Sequence, residues 1–422
     1  MTPFIAFLPW AVLLLVALPL SFWRRPRLAA SPADPPPDAP LVSVIVPARD
    51  EAENISGCLG ALLQSKWPRY EIVVVDDRSQ DGTREIAEAL AEQTARRVRV
   101  VTGDPLPDGW IGKPWACWQG YRAARGDLLL FTDADTRHGP ELLPRAVRAL
   151  QDGRADMLSV LPRQIMVGFW ERLMLPHVWF VITSRYPLMT RVNRSDNPLT
   201  VMANGQFILT RRDAYDAIGG HESVRDEVVE DVRLAQRMVE AGRSLFVAHG
   251  EEFISTRMYS SLAGIIEGWS KNVASGARLG AWPAVRAVAP WVAVALPLIA
   301  WVLPPALLAV VIAGLGGPGL RLWALAATGV SLFFWSVFDL HHRVPIAYAL
   351  TFPFGALATA LIFVRSALRG GRIRWKGREY SARPPGPSDG ESAARPPLPS
   401  DGETVARPDP ATGREGDGES GR

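Results

Sequence analysis

The run Gly126-Asp127-Leu128-Leu129-Leu130-Phe131-Thr132-Asp133-Ala134-Asp135-Thr136 constrains this chain most, because its consecutive large apolar residues leave no face for water. A strand of that kind is buried on both sides, as in a mainly parallel sheet covered by helices. It then runs directly into two carboxylates. Successive strand residues face opposite ways, but where a strand ends and the chain turns, Asp133 and Asp135 can be brought round one point. Two hard oxygen ligands supplying part of a shell suit Mg²⁺ or Mn²⁺, which take their other oxygens from water and substrate phosphates. The alternative is a solvated turn capping the next helix. The neighbouring strand ends favour the metal.

Leu41 to Val46, Glu71 to Val75 and Arg97 to Val101 read as further strands, with helices expected from Glu51 toward Ser65, after Thr83, and over Pro114 to Ala124. This regular alternation predicts an α/β fold with ligands bound outside the carboxyl ends of the strands. Pro47, Ala48, Arg49, Glu51, Asp76, Asp77, Asp133 and Asp135 all fall at those ends. Neither Gly-x-Gly-x-x-Gly nor Gly-x-x-x-x-Gly-Lys-Ser/Thr occurs there, so a nucleotide must be held another way. Acids beyond the strands accept hydrogen bonds from a base imide and ribose hydroxyls, while a metal and Lys113 neutralise a diphosphate. The competing readings are helix capping for Asp76-Asp77, with Asp81 better placed to cap, and a solvated loop lysine for Lys113.

Farther along, Ile165 to Thr183 mixes aromatics and methionines with Glu171, Arg172 and His177. It reads either as a helix on a membrane surface or as one packed on the catalytic domain. Met202 to Leu209 is expected to return as a strand. Glu230-Asp231 opens a helix; such acids either complement its dipole or supply the general base that deprotonates an acceptor hydroxyl. His221 and His249 have no spaced partner; either can complete a metal shell, but the reading favoured for both is a hydrogen-bonded loop residue. Arg257, Trp269 and Lys271 lie just ahead of an apolar region, where they can close over a diphosphate or meet lipid head groups.

Hydrophobic residues make up 48% of the chain and concentrate at Phe4 to Trp23 and Val285 to Val364, in runs of bilayer-spanning length. The first run is followed by Arg24, Arg25 and Arg27 and lacks a small-residue cleavage site. It reads as a retained anchor with the following domain in the cytoplasm. The net charge of +3 is small and its basic residues flank apolar runs, which excludes nucleic acid as the partner. Cys58 and Cys117 carry no metal or disulfide pattern. The expected organisation is an anchor over 1–23, a basic and proline-rich linker over 24–40, and a catalytic domain over 41–284. Transmembrane helices over 285–365, a basic juxtamembrane segment over 366–380 and a disordered, repetitive tail over 381–422 follow.

These motifs together resemble the family 2 glycosyltransferases of GT-A (Rossmann-like) fold. The matching positions are Pro47-Ala48-Arg49-Asp50-Glu51, Val75 to Thr83, Asp133-Ala134-Asp135 and Glu230-Asp231, in that order. Gly109 to Ala116 and Trp375-Lys376-Gly377-Arg378-Glu379-Tyr380 look like a subgroup that includes carotenoid (diaponeurosporenoate) and hopene-associated glycosyltransferases. The resemblance implies that Asp76 or Asp77 contacts the base, that Asp133 and Asp135 handle ribose, diphosphate and metal, and that Asp231 is the catalytic base. Processive members carry Gln-x-x-Arg-Trp, whereas Glu267-Gly268-Trp269-Ser270-Lys271 keeps only the tryptophan, which favours single transfer.

The expected function is a multi-pass cell-membrane enzyme that transfers one sugar, with inversion, from a nucleotide diphosphate donor such as a UDP-sugar to a lipid acceptor on the cytoplasmic face. Alternatives are a polyprenyl-phosphate glycosyltransferase, a polysaccharide synthase, and a scaffold or transporter with a degenerate domain. Three apolar runs follow the domain: Ala287 to Gly317, Leu322 to Leu340 and Pro345 to Val364. Yet the basic cluster from Arg365 to Arg378 belongs in the cytoplasm, so an even number of crossings is expected. The first run, broken by Pro290, Pro297, Pro304 and Pro305, is the one expected to lie at the interface or re-enter.

Overall fold

The computed structural model describes residues 7, 8, 10–12, 25–28, 35, 38–94, 97–152, 155–186, 189–369 and 372–381. Most of the expected anchor and linker, and the expected tail beyond Ser381, lie outside these.

β1 (Val42–Ala48) pairs in parallel with β2 (Tyr70–Asp76) on one side and β4 (Leu128–Phe131) on the other, and β3 (Val98–Thr102) adds to β2. Every residue of β2 and β4 is buried, because helices cover both faces of the sheet. α1 (Ile55–Leu62) puts Ile55, Cys58, Leu59 and Leu62 against Val44, Val46 and Leu130. On the opposite face Ile45, Leu129 and Phe131 meet Cys117 of α3 (Gly112–Ala123), while α2 (Thr83–Glu92) connects β2 to β3. Each large apolar side chain so buried is worth about 1.5–3 kcal/mol. Asp81 accepts from Thr83 N at 3.1 Å at the start of α2, as expected.

Register decides where the polar groups emerge. Ala48 is level with Asp76, and Thr132 N donates to Ile45 O at 3.1 Å. Arg49, Asp77 and Asp133 therefore leave the sheet at one edge. The rest of the sheet is mixed. β8 (Ile208–Arg211) runs antiparallel to both β4 and β6 (Met157–Leu161), and β9 (Leu245–His249) closes the order β3-β2-β1-β4-β8-β6-β9. Because β8 is antiparallel, its beginning lies beside the end of β4, with Phe131 opposite Ile208. Of the expected strand from Met202 to Leu209 only Ile208 and Leu209 belong to β8, which runs on to Arg211. Residues 201–207 form a loop at the ligand edge, held where Thr132 Oγ1 donates to Gln206 O at 2.8 Å. A small second sheet joins β5 (Thr136–His138), β7 (Arg163–Gln164) and β10 (Ile254–Thr256).

α5 (Phe169–Arg185) corresponds to the expected amphipathic segment. It packs Leu173, Met174 and Val178 with Ile265, Trp269 and Phe363, and leaves Phe169 and Trp170 exposed. α6 (Glu230–Glu240) opens with the acidic pair, and α7 (Leu262–Leu279) follows β10, capped by Ser261 Oγ. Three apolar helices long enough to cross a bilayer come next: α8 (Ala289–Ile312), α9 (Pro318–His341) and α10 (Ile346–Arg369). The prolines do not break the first. A π-helical turn over Leu298–Val302 separates Pro297 from Pro304, and each proline lies where a helical segment begins or ends.

Beyond α10 the expected basic juxtamembrane segment is ordered. β11 (Arg372–Trp375) and β12 (Arg378–Ser381) form an antiparallel hairpin around Lys376-Gly377. At the other end of the chain, Pro26 O accepts from His249 N at 2.7 Å, so part of the expected linker lies along β9.

Candidate active site

Lys113, on the first turn of α3, is the electrostatic centre of the cleft. Its Nζ lies 2.7 Å from Asp133 Oδ1 and 2.9 Å from Glu230 Oε1. Burial alone lowers an ammonium pKa, but Asp133 and Glu230 more than reverse this and hold Lys113 well above its ordinary value. One cation thus ties the end of β4 to the start of α6. Asp231 accepts from Gly205 N at 2.8 Å through Oδ2 and from Val232 N at 2.8 Å through Oδ1. Desolvation and the neighbouring Glu230 push its carboxyl up to about 6. Gly205 lets the three elements meet, since a Cβ there would lie 2.8 Å from Lys113 Nζ and 3.4 Å from Asp231 Oδ2. Gly205→Ala is expected to keep the fold, because a lysine tip moves easily, while displacing Lys113 and lowering activity at least about 10-fold. Matched circular dichroism with reduced turnover is the check.

Asp135 is half-buried, yet its Oδ1 is inaccessible and has no hydrogen-bond partner. Desolvation, then Asp133 and Glu51, push its carboxyl up to about 7. A buried carboxylate oxygen without a partner, beside a second carboxylate, fits part of a shell for a divalent cation. Among the described residues there is no group of three or more His, Cys, Asp or Glu arranged to hold a metal alone. Any ion here therefore needs oxygens from water or ligand as well.

These groups line one cavity of about 1370 Å³, with Pro47, Ala48, Arg49, Glu51, Asp77, Lys113, Asp133, Asp135, Glu230, Asp231, Trp269 and Lys271 in its wall. Desolvation lowers the Lys271 ammonium to about 8. Two expected site residues lie outside the wall. Asp76 is buried and its Oδ1 accepts from Ser79 N at 3.3 Å, bracing the turn after β2. Arg257 grips the buried Glu171 through two hydrogen bonds of 2.8 and 3.1 Å, pinning β10 to α5. It is not available to close over a diphosphate. Glu267, where processive members carry glutamine, pairs with Arg365 and Arg369. His221 bonds Tyr215 and His249 bonds Glu251, both as structural histidines.

Residues 43–219 match the family model described as Glycosyl transferase family 2. The chain carries a family 2 glycosyl transferase domain. Similar proteins include 4,4'-diaponeurosporenoate glycosyltransferases of Staphylococcus haemolyticus, 31% identical over 245 residues, and Staphylococcus aureus, 29% identical over 248. Each alignment covers 56% of this chain, and 62% and 61% of the respective relatives. The matched region thus spans about three-fifths of those relatives' length. A mannosyltransferase from Pyrobaculum calidifontis, solved in complex with GDP-Man and Mn²⁺, superposes with a TM-score of 0.53 at 20% identity. It covers 85% of this chain and 99% of its own, which extends the likeness in fold beyond the glycosyl transferase domain into the apolar helices.

Two stretches expected elsewhere or only in outline also line the cleft: Asn204-Gly205-Gln206, expected within a strand, and Lys376, which an even number of crossings puts on the active-site side to meet the donor or a lipid head group. Lys376 reaches the cleft wall from the far end of the chain. Lys376-Gly377 between two short basic strands fits a two-residue hairpin turn, and that was the available signal.

Proposed function

We propose that this protein transfers a single sugar, with inversion, from a nucleotide diphosphate sugar to a lipid acceptor. One observation carries the reading: the cavity that holds Asp133, Asp135, Lys113 and Asp231 continues past Trp282 and Val288 to Val292 and Leu296 of α8 and Phe363 of α10. A polar donor end and an apolar acceptor end thus share one space. In this reading Asp77, Glu51, Pro47, Ala48 and Arg49 form the nucleoside end, with Asp76 bracing it. Asp133 and Asp135 hold a divalent cation, Mg²⁺ or Mn²⁺, which when bound neutralises the diphosphate. Lys113 orients Asp133 and opposes the same charge. Asp231 removes the proton from an acceptor hydroxyl, and Glu230 is committed to Lys113. The names of the diaponeurosporenoate relatives favour a carotenoid-like acceptor, here one that presents a hydroxyl, since a carboxylate arrives ionised and leaves a base no proton to remove. Detergent-solubilised protein given a panel of nucleotide sugars and a total lipid extract is expected to yield a lipid heavier by one hexose. Absence of such a product under every donor overturns the reading.

The helix packing favours two crossings after the domain. α10 is in contact with the domain at both ends, Tyr348 near Phe169 and Arg172, and Arg369 on Glu267, although its 24 residues extend roughly 36 Å. α8 packs on α10 through its first half and on α9 through its second, while His341 at the end of α9 meets Arg25. In this reading the helix placed along the interface is α10, because both of its ends meet the domain, whereas the expectation from the prolines was α8. Cysteines at Gly317 and Glu379 test it with an impermeant thiol reagent in intact cells. Gly317→Cys is expected to label from outside and Glu379→Cys only after lysis. Cys58 and Cys117 do not interfere, being buried, with the Cys58 thiol pushed up to about 12.

A further inference from the structure

We propose that the C-terminal hairpin is the outer wall of the donor cleft and that Lys376 is a ligand of the nucleoside diphosphate. This rests on the donor reading above. Lys376 Nζ donates to Glu51 Oε1 at 2.7 Å and to Asp50 O at 2.8 Å. Arg378 spans both oxygens of the buried Asp77, at 2.6 and 3.1 Å. Arg49 completes the junction, donating through Nε to Lys376 O at 3.1 Å and through Nη1 to Asp77 O at 2.6 Å. Arg49, Asp50, Glu51 and Asp77, from two strand ends, are thus engaged by Lys376 and Arg378, which follow them by some three hundred positions in the chain.

The hairpin is built for that contact. Both turn residues have positive φ, 45° at Lys376 and 76° at Gly377, the form that suits the right-handed twist of two short strands. Glycine adopts it freely and lysine does not, so the backbone accepts strain to put an ammonium at this point. With the hairpin docked, the cavity remains open and Lys376 lines it alongside Asp77, Asp133 and Asp135. A plug would have filled the space; this is a wall. Of the three ammonium donors two are used, which leaves one for the cavity. Acids outnumber cations around that wall, so an entering diphosphate meets repulsion that Lys376 offsets. Arg378 acts as a positioning residue, holding the strap on Asp77.

The test is calorimetric binding of UDP and GDP, each with Mn²⁺, to full-length protein and to Lys376→Ala, Lys376→Arg, Arg378→Ala and, as a control, Arg365→Ala. Lys376→Ala is expected to weaken the preferred diphosphate about 10-fold and to flatten the salt dependence of its Kd. Uridine or guanosine should bind as before. Lys376→Arg should recover most of the loss, Arg378→Ala should weaken diphosphate and nucleoside together, and Arg365→Ala should match wild type. Unchanged or tighter diphosphate binding in Lys376→Ala overturns the hairpin's role and leaves the donor reading standing. Wild-type protein that binds neither diphosphate overturns both.

Discussion

Asp231→Asn is expected to retain donor affinity and lose transfer by about 10² to 10⁴-fold, the usual worth of a positioned general base. The two acids that open α6 are not equivalent. Glu230 is buried and its Oε1 is 2.9 Å from Lys113 Nζ, so its charge is committed to the cleft's central cation. Asp231 receives only backbone N–H groups, which orient it and leave lone pairs facing the cavity. Its pKa of about 6 gives it more basicity than an exposed carboxylate while keeping it ionised at neutral pH. kcat/KM should therefore fall tenfold per unit as pH drops below about 6, and the residual activity of the asparagine variant should lack that limb. The same shift makes a stability prediction of defined sign. A carboxyl with a raised folded-state pKa binds protons more readily folded than unfolded. Asp231 thus costs stability as pH rises from 3.8 to about 6. The variant should lose less stability over that window than wild type. Asp231→Asn lowering donor affinity and turnover together would make the residue a structural cap. Glu230→Gln should act the other way round, weakening donor binding through a released Lys113.

The strand ends were legible because their chemistry is local. Val73 to Asp77 and Leu128 to Asp135 each join a doubly buried run to acids within a few residues, and no other placement of those acids satisfies both parts. The loop at 201–207 was not legible, since Val201, Met202, Ala203 and Phe207 are buried on either side of Asn204-Gly205-Gln206 and lead directly into β8. Only the antiparallel pairing of β8 with β4 turns it into an edge loop. Arg257 misled for a related reason: a cation before an aromatic helix looks like a diphosphate clamp until Glu171, far back in the chain, is found beneath it. Each apolar helix is long and apolar enough to cross a bilayer, so hydropathy could not say which of them does. The Asp77–Arg378 pair joins residues with no local signal of each other: the motif from Trp375 to Tyr380 stood out in the sequence, but not the strand end that it meets.

Asp135→Ala should abolish metal-supported donor binding while leaving the protein folded. Asp133 is already partnered by Lys113, so its loss would confound metal and lysine effects; Asp135 isolates the metal. Its inaccessible Oδ1 has no partner and its carboxyl is held near 7 by desolvation, so removing it relieves an unpaired polar burial. Thermal stability without metal should therefore be equal to or above wild type. With Mn²⁺ or Mg²⁺ the order should reverse, since only wild type gains stability from the ion. The diphosphate would then enter a cleft where Asp77, Asp133, Glu230 and Asp231 remain and the compensating ion does not. Several kcal/mol of charge stabilisation are at stake, about 10³-fold or more in kcat/KM. Binding of the nucleoside alone, which carries no phosphate, should be unaffected, and this separates a metal defect from a collapsed cleft. Full turnover in Asp135→Ala, or an Mn²⁺ response matching wild type, would remove the carboxylate pair from the donor site and leave Lys113 and Lys376 as its principal cations.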